Sequence, residues 1–407
     1  MRLTAVTPDT FAEYVTMLET AAGRHISAEA LDDARELYVL DRTTAIVEDG
    51  EMVAGTAADH LELTVPGGRV VPGARTMLTA VLPTSRRRGY MRALMEWHMR
   101  DALDHDESVL VGTTPVPAIV GRFDYLATSR ALSLEVRRRP GLLSPGACEG
   151  GGLRMLPAAT RREVLPATFE RHRRLRTGQI SRRPEFWRMW FRDRPLYRTA
   201  PTERFAVAYD DPGGVTQGYL TYRLTHGELR AQPVSRLVVE DLITVTDDAR
   251  RALWTYCLDF DQADTVVADH LPVDELLPWL LSDRSAVKVT GVRDFMVLRL
   301  LDVPAALSER RYAVHGSLVL EVDDPTLTAN TGRFRLDGGP DHAAVTPVNA
   351  APDLSLRVGT LGAAYLGDFS FTTLARARLV EARTGGAVAL ADRMFAARPA
   401  PWTVSDW

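Results

Sequence analysis

The sequence predicts a mixed α/β chain, α+β overall, built as three domains, and three observations carry that expectation. Its amino-terminal part, to about residue 140, alternates helix-like and strand-like segments; a Pro/Gly-rich stretch then interrupts the pattern and the same layout repeats; and from Val292 onward alternating strands are followed by short helices. At 407 residues the chain also exceeds what one hydrophobic core ordinarily serves.

Taken in order, "PDTFAEYVTMLETAAG" is amphipathic and follows Thr7, with Pro8 suited to a first helical position. "TAIVEDGEMVAGTAADHLEL" reads as a hairpin turning at Asp49-Gly50. After the loop "TVPGGRVVPGA" come the strand "TMLTAVL", a glycine, and a helix in which Met91, Leu94, Met95 and Ala102 share a face. The strand "SVLVGTT", a short helix, and "ATSRALSLEV" as a last strand complete a first domain over residues 1–145. "RRRPGLLSPGACEGGG" is the linker.

Residues 153–291 repeat this outline with Arg-rich helices, the hairpin "FAVAYDDPGGVTQGYLTYRL", the strand "RLVVEDLITV", the helix "DDARRALWTYCLDF" and the strand "DTVVADHL". The copy lacks the arginine-glycine turn of the first half, as expected of a duplicated scaffold that has lost its ligand site. Trp187, Trp190 and Trp254 read as core or interface anchors. Residues 292–407 form the third unit, with strands "SLVLEV", "GRFRLDG", "AAVTP" and "LSLRV" before the helices "LGAAYLGDF", "FTTLARARL" and "AVALADRMFA".

A hydrophobic content of 45% with 25% charged residues, and no run long enough to span a bilayer, predict a soluble chain without a membrane partner. The absence of a signal peptide makes a cytoplasmic location the expectation. Cys148 and Cys257 stand far apart with no metal-ligand spacing, so neither a disulfide framework nor a metal site is expected. A net charge of −4 excludes a general nucleic-acid binder. One segment runs against that charge: "FERHRRLRTGQISRRPEFWRMWFRDRPLYR" interleaves arginines with aromatics, and reads either as a polyanion patch or as a helix face paired with acidic partners.

The densest chemical signal is "VLPTSRRRGYMRALM". A strand that ends in a turn and opens a helix presents backbone N–H groups and the positive end of a helix dipole at its mouth. Arg86, Arg87 and Arg88 add fixed charge there, and Gly89 lets the backbone approach closely. The arrangement suits a pyrophosphate.

That stretch resembles the acetyl-CoA signature of the GNAT acetyltransferases, and specifically that of the enhanced intracellular survival (Eis) family; Met91 replaces the usual second small residue, a departure that Eis-like proteins share. The resemblance extends along the chain through "GRFDY", "LVVEDLITVTDDARRALWTYCLDFD", "PVDELLPWLL", "VLRLLDVPAALSERRY", "DLSLRVGTLGAAYLGDFS" and the tail "PWTVSDW". It implies a GNAT domain, a GNAT-like domain without cofactor, a domain similar to sterol carrier protein, and a hexameric homo-oligomer. It also implies acetyl-CoA as co-substrate, held by Thr79, Val81, Arg86, Arg87, Arg88 and Gly89.

The family is understood to use its own terminal carboxylate as the base, which carries over to Trp407, with Asp406 adding negative potential for a cationic substrate. Its general acid is a tyrosine directly before Gly-Arg-Phe, where this chain has Val120. Tyr125, five residues on, is the remaining candidate acid, and "TTPVP" departs from the family's Ser-Glu run beside the thioester. The resemblance points to N-acetylation of a cationic amine, with Glu29, Asp32, Asp33, Glu36 and Asp41 near the expected pocket wall or on an exposed helix face. Two other readings stay open: a coenzyme A, lipid or small-molecule binding protein, and acyl transfer to a different acceptor.

Overall fold

The computed structural model describes residues 2–404 apart from 115, 140, 144–149, 230 and 231. Cys148, Asp406 and Trp407 therefore lie outside the described residues. The chain divides into two compact units, one containing residues 2–129 and 295–397, the other 130–294 and the tail from Arg398. None of the described helices is long and apolar enough to cross a membrane.

In the first unit, β1 (Arg2–Ala5), β2 (Thr43–Glu48), β3 (Glu51–Thr64), β4 (Val70–Thr76), β5 (Ala80–Val81), β6 (Val109–Thr113) and β7 (Leu126–Ala127) belong to one eight-stranded sheet. The β2–β3 hairpin turns where expected, at Asp49 (φ 53°) and Gly50 (φ 89°), both in the left-handed region that such two-residue turns demand. Helices α1 (Phe11–Ala21), α2 (Ala28–Leu37) and α3 (Tyr90–Asp104) join these strands, and α2 is capped by Ser27, whose hydroxyl accepts from Ala30 N. Along α3, Leu94, Met95 and Ala102 of the face that the sequence spacing predicts are fully buried and Met91 is half-buried, while Met99 is buried beside them.

The second unit holds the seven-stranded sheet of β8 (Arg130–Arg137), β9 (Gly152–Met155), β10 (Phe205–Asp210), β11 (Thr216–Leu229), β12 (Gln232–Thr244), β13 (Thr265–Leu271) and β14 (Val287–Asp294). Its helices include α5 (Ala158–Leu175), α6 (Pro184–Arg192) and α7 (Asp247–Asp259), the short α4 (Pro117–Val120) lying in the first unit. Trp254 is fully buried and donates to Glu275 at 2.9 Å, and Trp187 is buried as well, so both are core residues.

One strand assignment differs from expectation. "ATSRALSLEV" does not close the first sheet: only Leu126–Ala127 stays there, while Arg130–Arg137 pairs antiparallel with both β13 and β14 in the second. The vacancy is filled by β15 (Met296–Leu300), which lies between β6 and β7. β15 is buried throughout, whereas β8 buries Leu132, Leu134 and Val136 on one face and leaves Ser133 and Glu135 half-buried on the other. Ala131, Leu134 and Val136 are inaccessible in β8, as are Leu298, Arg299 and Leu300 in β15. Local patterning marks such strands as interior without saying which sheet receives them.

The remainder of the first unit is a five-stranded sheet, β16 (Gly316–Asp323), β17 (Gly332–Gly338), β18 (Ala343–Pro347), β19 (Leu354–Arg357) and β20 (Val380–Ala382), with helices Val358–Tyr365, Phe371–Arg376 and Ala387–Phe395. Two ion pairs fasten it to the first sheet and its loops. Arg299 of β15 meets Asp324 bidentately at 2.7 and 2.8 Å with both side chains inaccessible, and Arg357 meets Asp124 at 2.8 and 3.1 Å. Gly359 makes the second contact possible, since a Cβ there would lie 2.9 Å from the Asp124 carbonyl oxygen.

Candidate active site

The cleft begins where two strands part. β4 runs parallel to β6 at Ala74–Leu110 and Arg75–Val111. Beyond Thr76, three residues of this strand, Met77 to Thr79, oppose two of β3, Thr56 and Ala57, before β5 rejoins β3 at Gly55–Ala80 and Ala54–Val81. This bulge turns the strand away from β6, which continues alongside β15. The edge of β5 facing β6 is unpaired among the described residues, leaving backbone groups free to pair with an extended ligand.

Thr79 and Val81 both face inward with their side chains. The Thr79 hydroxyl lies 2.6 Å from that of Thr56, which is 2.5 Å from Nε2 of His98 on α3. Val81 is buried and its carbonyl accepts from Arg86 Nε at 3.3 Å. Both residues can therefore serve a ligand only through the backbone. The buried Thr56–His98 pair beneath them is absent from the sequence reading; its one signal there is a histidine on the apolar face of α3. Burial, with Arg42 nearby, lowers His98 to about 3, so the imidazole is neutral.

The three arginines have three different roles. Arg86 spends its guanidinium on the carbonyls of Val81 and Ala21, both at 3.3 Å, and so braces the turn. Arg88 meets both oxygens of Glu48 at 2.7 Å. Arg87, held at φ 66°, is exposed and has no acceptor among the described residues. Behind it Gly89 stands as the N-cap of α3 at φ 85°, and neither a capping side chain nor an acidic residue occupies the first turn. The N–H groups of that turn thus lack acceptors among the described residues, and they sit at the positive end of a fifteen-residue helix. A Cβ on Gly89 would meet no protein atom within 4 Å. Within the protein, then, glycine is required by backbone conformation rather than by close contact, and the space in front of it is open.

Val120 ends α4 and packs, half-buried, against a cluster that includes Met95, Met99, Phe123 and Tyr125. Tyr125 is 2% exposed in that cluster, with Thr76 as its polar neighbour and no well-formed hydrogen bond to its oxygen. Burial pushes the phenol above its ordinary range, and Thr76 and Arg299 only partly oppose this. A phenol so placed keeps its proton. Of the acidic residues on and after α2, Asp33 is buried, Glu36 is half-buried, and Glu29, Asp32 and Asp41 are exposed.

The carboxy-terminal tail is anchored within the second unit. Ala400 N donates to Asp274 at 2.7 Å, Trp402 N to Thr177 O at 2.8 Å, and the Trp402 indole to His270 O at 2.5 Å. Trp402 and Val404 are buried in a cluster with Leu165, Phe169 and Trp187, each contributing on the order of 1.5–3 kcal/mol of apolar burial. Gly178, at φ 87°, admits this approach, because a Cβ there would stand 2.9 Å from Trp402 N.

Comparison with known proteins assigns families to three stretches of the chain. Residues 2–127 and 178–300 each match an acetyltransferase (GNAT) domain family, and residues 303–404 match a sterol carrier protein domain family. The N-acetyltransferase Eis of Mycobacterium tuberculosis is 33% identical over 86% of this chain and 86% of its own. This chain belongs to the Eis family of GNAT N-acetyltransferases. An uncharacterized N-acetyltransferase of Streptomyces avermitilis is 32% identical over 96% of this chain and 95% of its own. The crystal structure of an Eis protein from Mycobacterium abscessus covers 100% of both chains at 31% identity with a TM-score of 0.88. A GCN5-related N-acetyltransferase from Anabaena variabilis, at 21% identity and TM-score 0.85 with 100% of both chains covered, shares the fold. The Eis-like reading of the sequence thus holds for family and fold, including the two GNAT domains and the sterol-carrier-like domain.

Proposed function

We propose that this Eis-family chain transfers an acetyl group from acetyl-CoA to an amine of a cationic small molecule, such as an aminoglycoside or a polyamine. The observation that carries the reading is the parted strand edge leading to the uncapped amino terminus of α3, with open space at Gly89 and an unengaged Arg87. The pantetheine arm of the co-substrate suits the free edge of β5, and its pyrophosphate suits the helix mouth. In the step itself the amine nitrogen attacks the thioester carbonyl, the C–N bond forms, the C–S bond breaks, the nitrogen loses a proton and the sulfur gains one.

The proton from nitrogen goes to the terminal carboxylate of Trp407 in this reading, which the anchoring of the tail as far as Val404 supports. Asp406 supplies negative potential for the cationic acceptor. Sulfur is protonated from solvent, because Val120 is apolar and the Tyr125 phenol is sealed in the core. The loss of a positioned acid costs roughly 10²-fold in rate. A homo-oligomer, the hexamer of the resemblance, and a cytoplasmic setting belong to the same proposal.

The same apolar residue at 120 favours a second reading, in which the chain binds coenzyme A or another small molecule without turnover. Coenzyme A release in the presence of acetyl-CoA and a panel of aminoglycosides and polyamines separates the two. Amine-dependent release with an acetylated product by mass supports the transferase; binding of coenzyme A without release supports the second.

A further inference from the structure

The second unit has no counterpart of the arginine-glycine turn, but it carries a concave site of its own. A groove of about 410 Å³ lies between α5 and α6. Phe169 of α5 and Trp187 and Phe191 of α6 form its aromatic lining; Trp187 stacks on Phe191 with centroids 5.6 Å apart and meets Phe169 edge-on at 5.8 Å. Pro166 of α5 and Pro184 at the start of α6 complete the apolar lining.

The charge around this apolar lining is one-sided. Three arginines, Arg162, Arg182 and Arg188, border it against one acid, Glu170, and Glu170 is already engaged by Arg173 and Arg174. Arg182 is built in: its side chain is 4% exposed, it meets Asp241 bidentately at 2.7 and 3.1 Å, and it stands 4.4 Å over the Phe169 ring. Arg188 pairs with Glu185 at 2.9 Å. Arg162 is different. It is exposed, lies 5.5 Å over the Phe191 ring, and has no carboxylate partner among the described residues. A flat apolar body fits the aromatic lining, and an anionic end fits the guanidinium at its rim.

We propose that this groove binds a small aromatic carboxylate, its ring seated on Trp187 and Phe191 and its carboxylate held by Arg162. The basic, aromatic-rich segment of the sequence, read either as a polyanion patch or as a helix face paired with acidic partners, supplies Phe169, Arg182, Trp187, Arg188 and Phe191 to this groove, and Arg162 precedes it on α5. Phe169 and Trp187 belong to the buried cluster that holds Trp402 and Val404, so the occupant touches the wall on which the tail is anchored. The proposal is independent of acetyl transfer.

Calorimetric titration of the full-length protein with naphthaleneacetate and with its uncharged analogue naphthaleneacetamide tests it. The carboxylate saturates one site, the amide binds at least tenfold more weakly, and Arg162→Met brings the carboxylate to the affinity of the amide. Phe191→Ala, judged folded by its circular dichroism, weakens both ligands. Failure of the carboxylate to saturate, equal affinity for carboxylate and amide, indifference to Arg162→Met, or displacement by coenzyme A each overturns the proposal. Coenzyme A affinity, measured on Arg162→Met in parallel, stays at the wild-type value, which keeps this outcome separate from that of the transferase reading.

Discussion

Replacing the three arginines of the turn one at a time gives three different results, although they are consecutive in sequence. Arg87→Gln removes the one guanidinium at the helix mouth that no described residue engages. A hydrogen bond from a charged donor contributes about 1.5–3 kcal/mol, so affinity for coenzyme A falls by roughly ten- to hundred-fold while thermal stability is unchanged. Arg86→Gln releases two backbone carbonyls that brace the turn, so stability falls together with binding. Arg88→Gln loses an exposed pair with Glu48 and a contact with Tyr90, and binding changes little. Calorimetry with coenzyme A, and with pantetheine as a ligand that lacks the pyrophosphate, reads these differences. Pantetheine affinity is the same in wild type and Arg87→Gln. If Arg88→Gln weakens coenzyme A as much as Arg87→Gln does, or if pantetheine loses affinity in parallel, the assignment of Arg87 to the pyrophosphate is wrong.

Further predictions concern the tail, the missing acid, the buried histidines and the domain contact. Gly178→Ala forces a left-handed residue to carry a Cβ 2.9 Å from Trp402 N, at roughly 1–2 kcal/mol for the backbone alone; kcat falls while coenzyme A affinity holds, and an unchanged kcat would separate tail anchoring from catalysis. Val120→Tyr raises kcat by about 10²-fold if a phenol at that position reaches the sulfur; steady-state kinetics decides. His98 and His172 are lowered by burial to about 3 and about 4, below the ordinary value near 6.5. Their neutral forms therefore stabilise the fold fully above that value, and this contribution is lost as pH falls towards the folded pKa, at up to about 1.4 kcal/mol per pH unit for each. Denaturant titrations from pH 7 to pH 5 show this slope, and His172→Gln makes it shallower. Arg299→Met strands the buried Asp324 carboxylate and costs about 3–5 kcal/mol; pairing it with Asp324→Leu recovers much of that loss, as unfolding of the double variant shows.

Much of the architecture was legible because it is written locally. Asp49-Gly50 specifies a tight hairpin, the apolar period after Gly89 specifies a buried helix face, and a strand running into arginines and a glycine specifies the start of α3 at Gly89. Sheet membership was not legible. Arg130–Arg137 and Met296–Leu300 are interior strands whose patterns fit either sheet, and their exchange follows from pairings between residues far apart in the chain.

Nor could spacing distinguish Arg87 from its neighbours, since the difference lies in Glu48 and in the carbonyls of Ala21 and Val81, which folding brings to the turn. The same limit applies to Tyr125. Its place in the sequence made it a candidate acid, whereas its burial against Met95 and Met99 is a property of packing. The anchoring of the tail by the indole of Trp402 on His270 O is likewise a contact between residues far apart in the chain.

The proposed reaction is amine-dependent transfer of acetyl from acetyl-CoA at the parted strands. It is tested most directly by following coenzyme A release and product mass with the panel of aminoglycosides and polyamines, for wild type and Arg87→Gln side by side. Acetyl transfer at this site gives saturable release only when amine is present, a monoacetylated or polyacetylated product, and a raised KM for acetyl-CoA in the variant. Binding of coenzyme A without release for any amine, or turnover indifferent to Arg87, would contradict it.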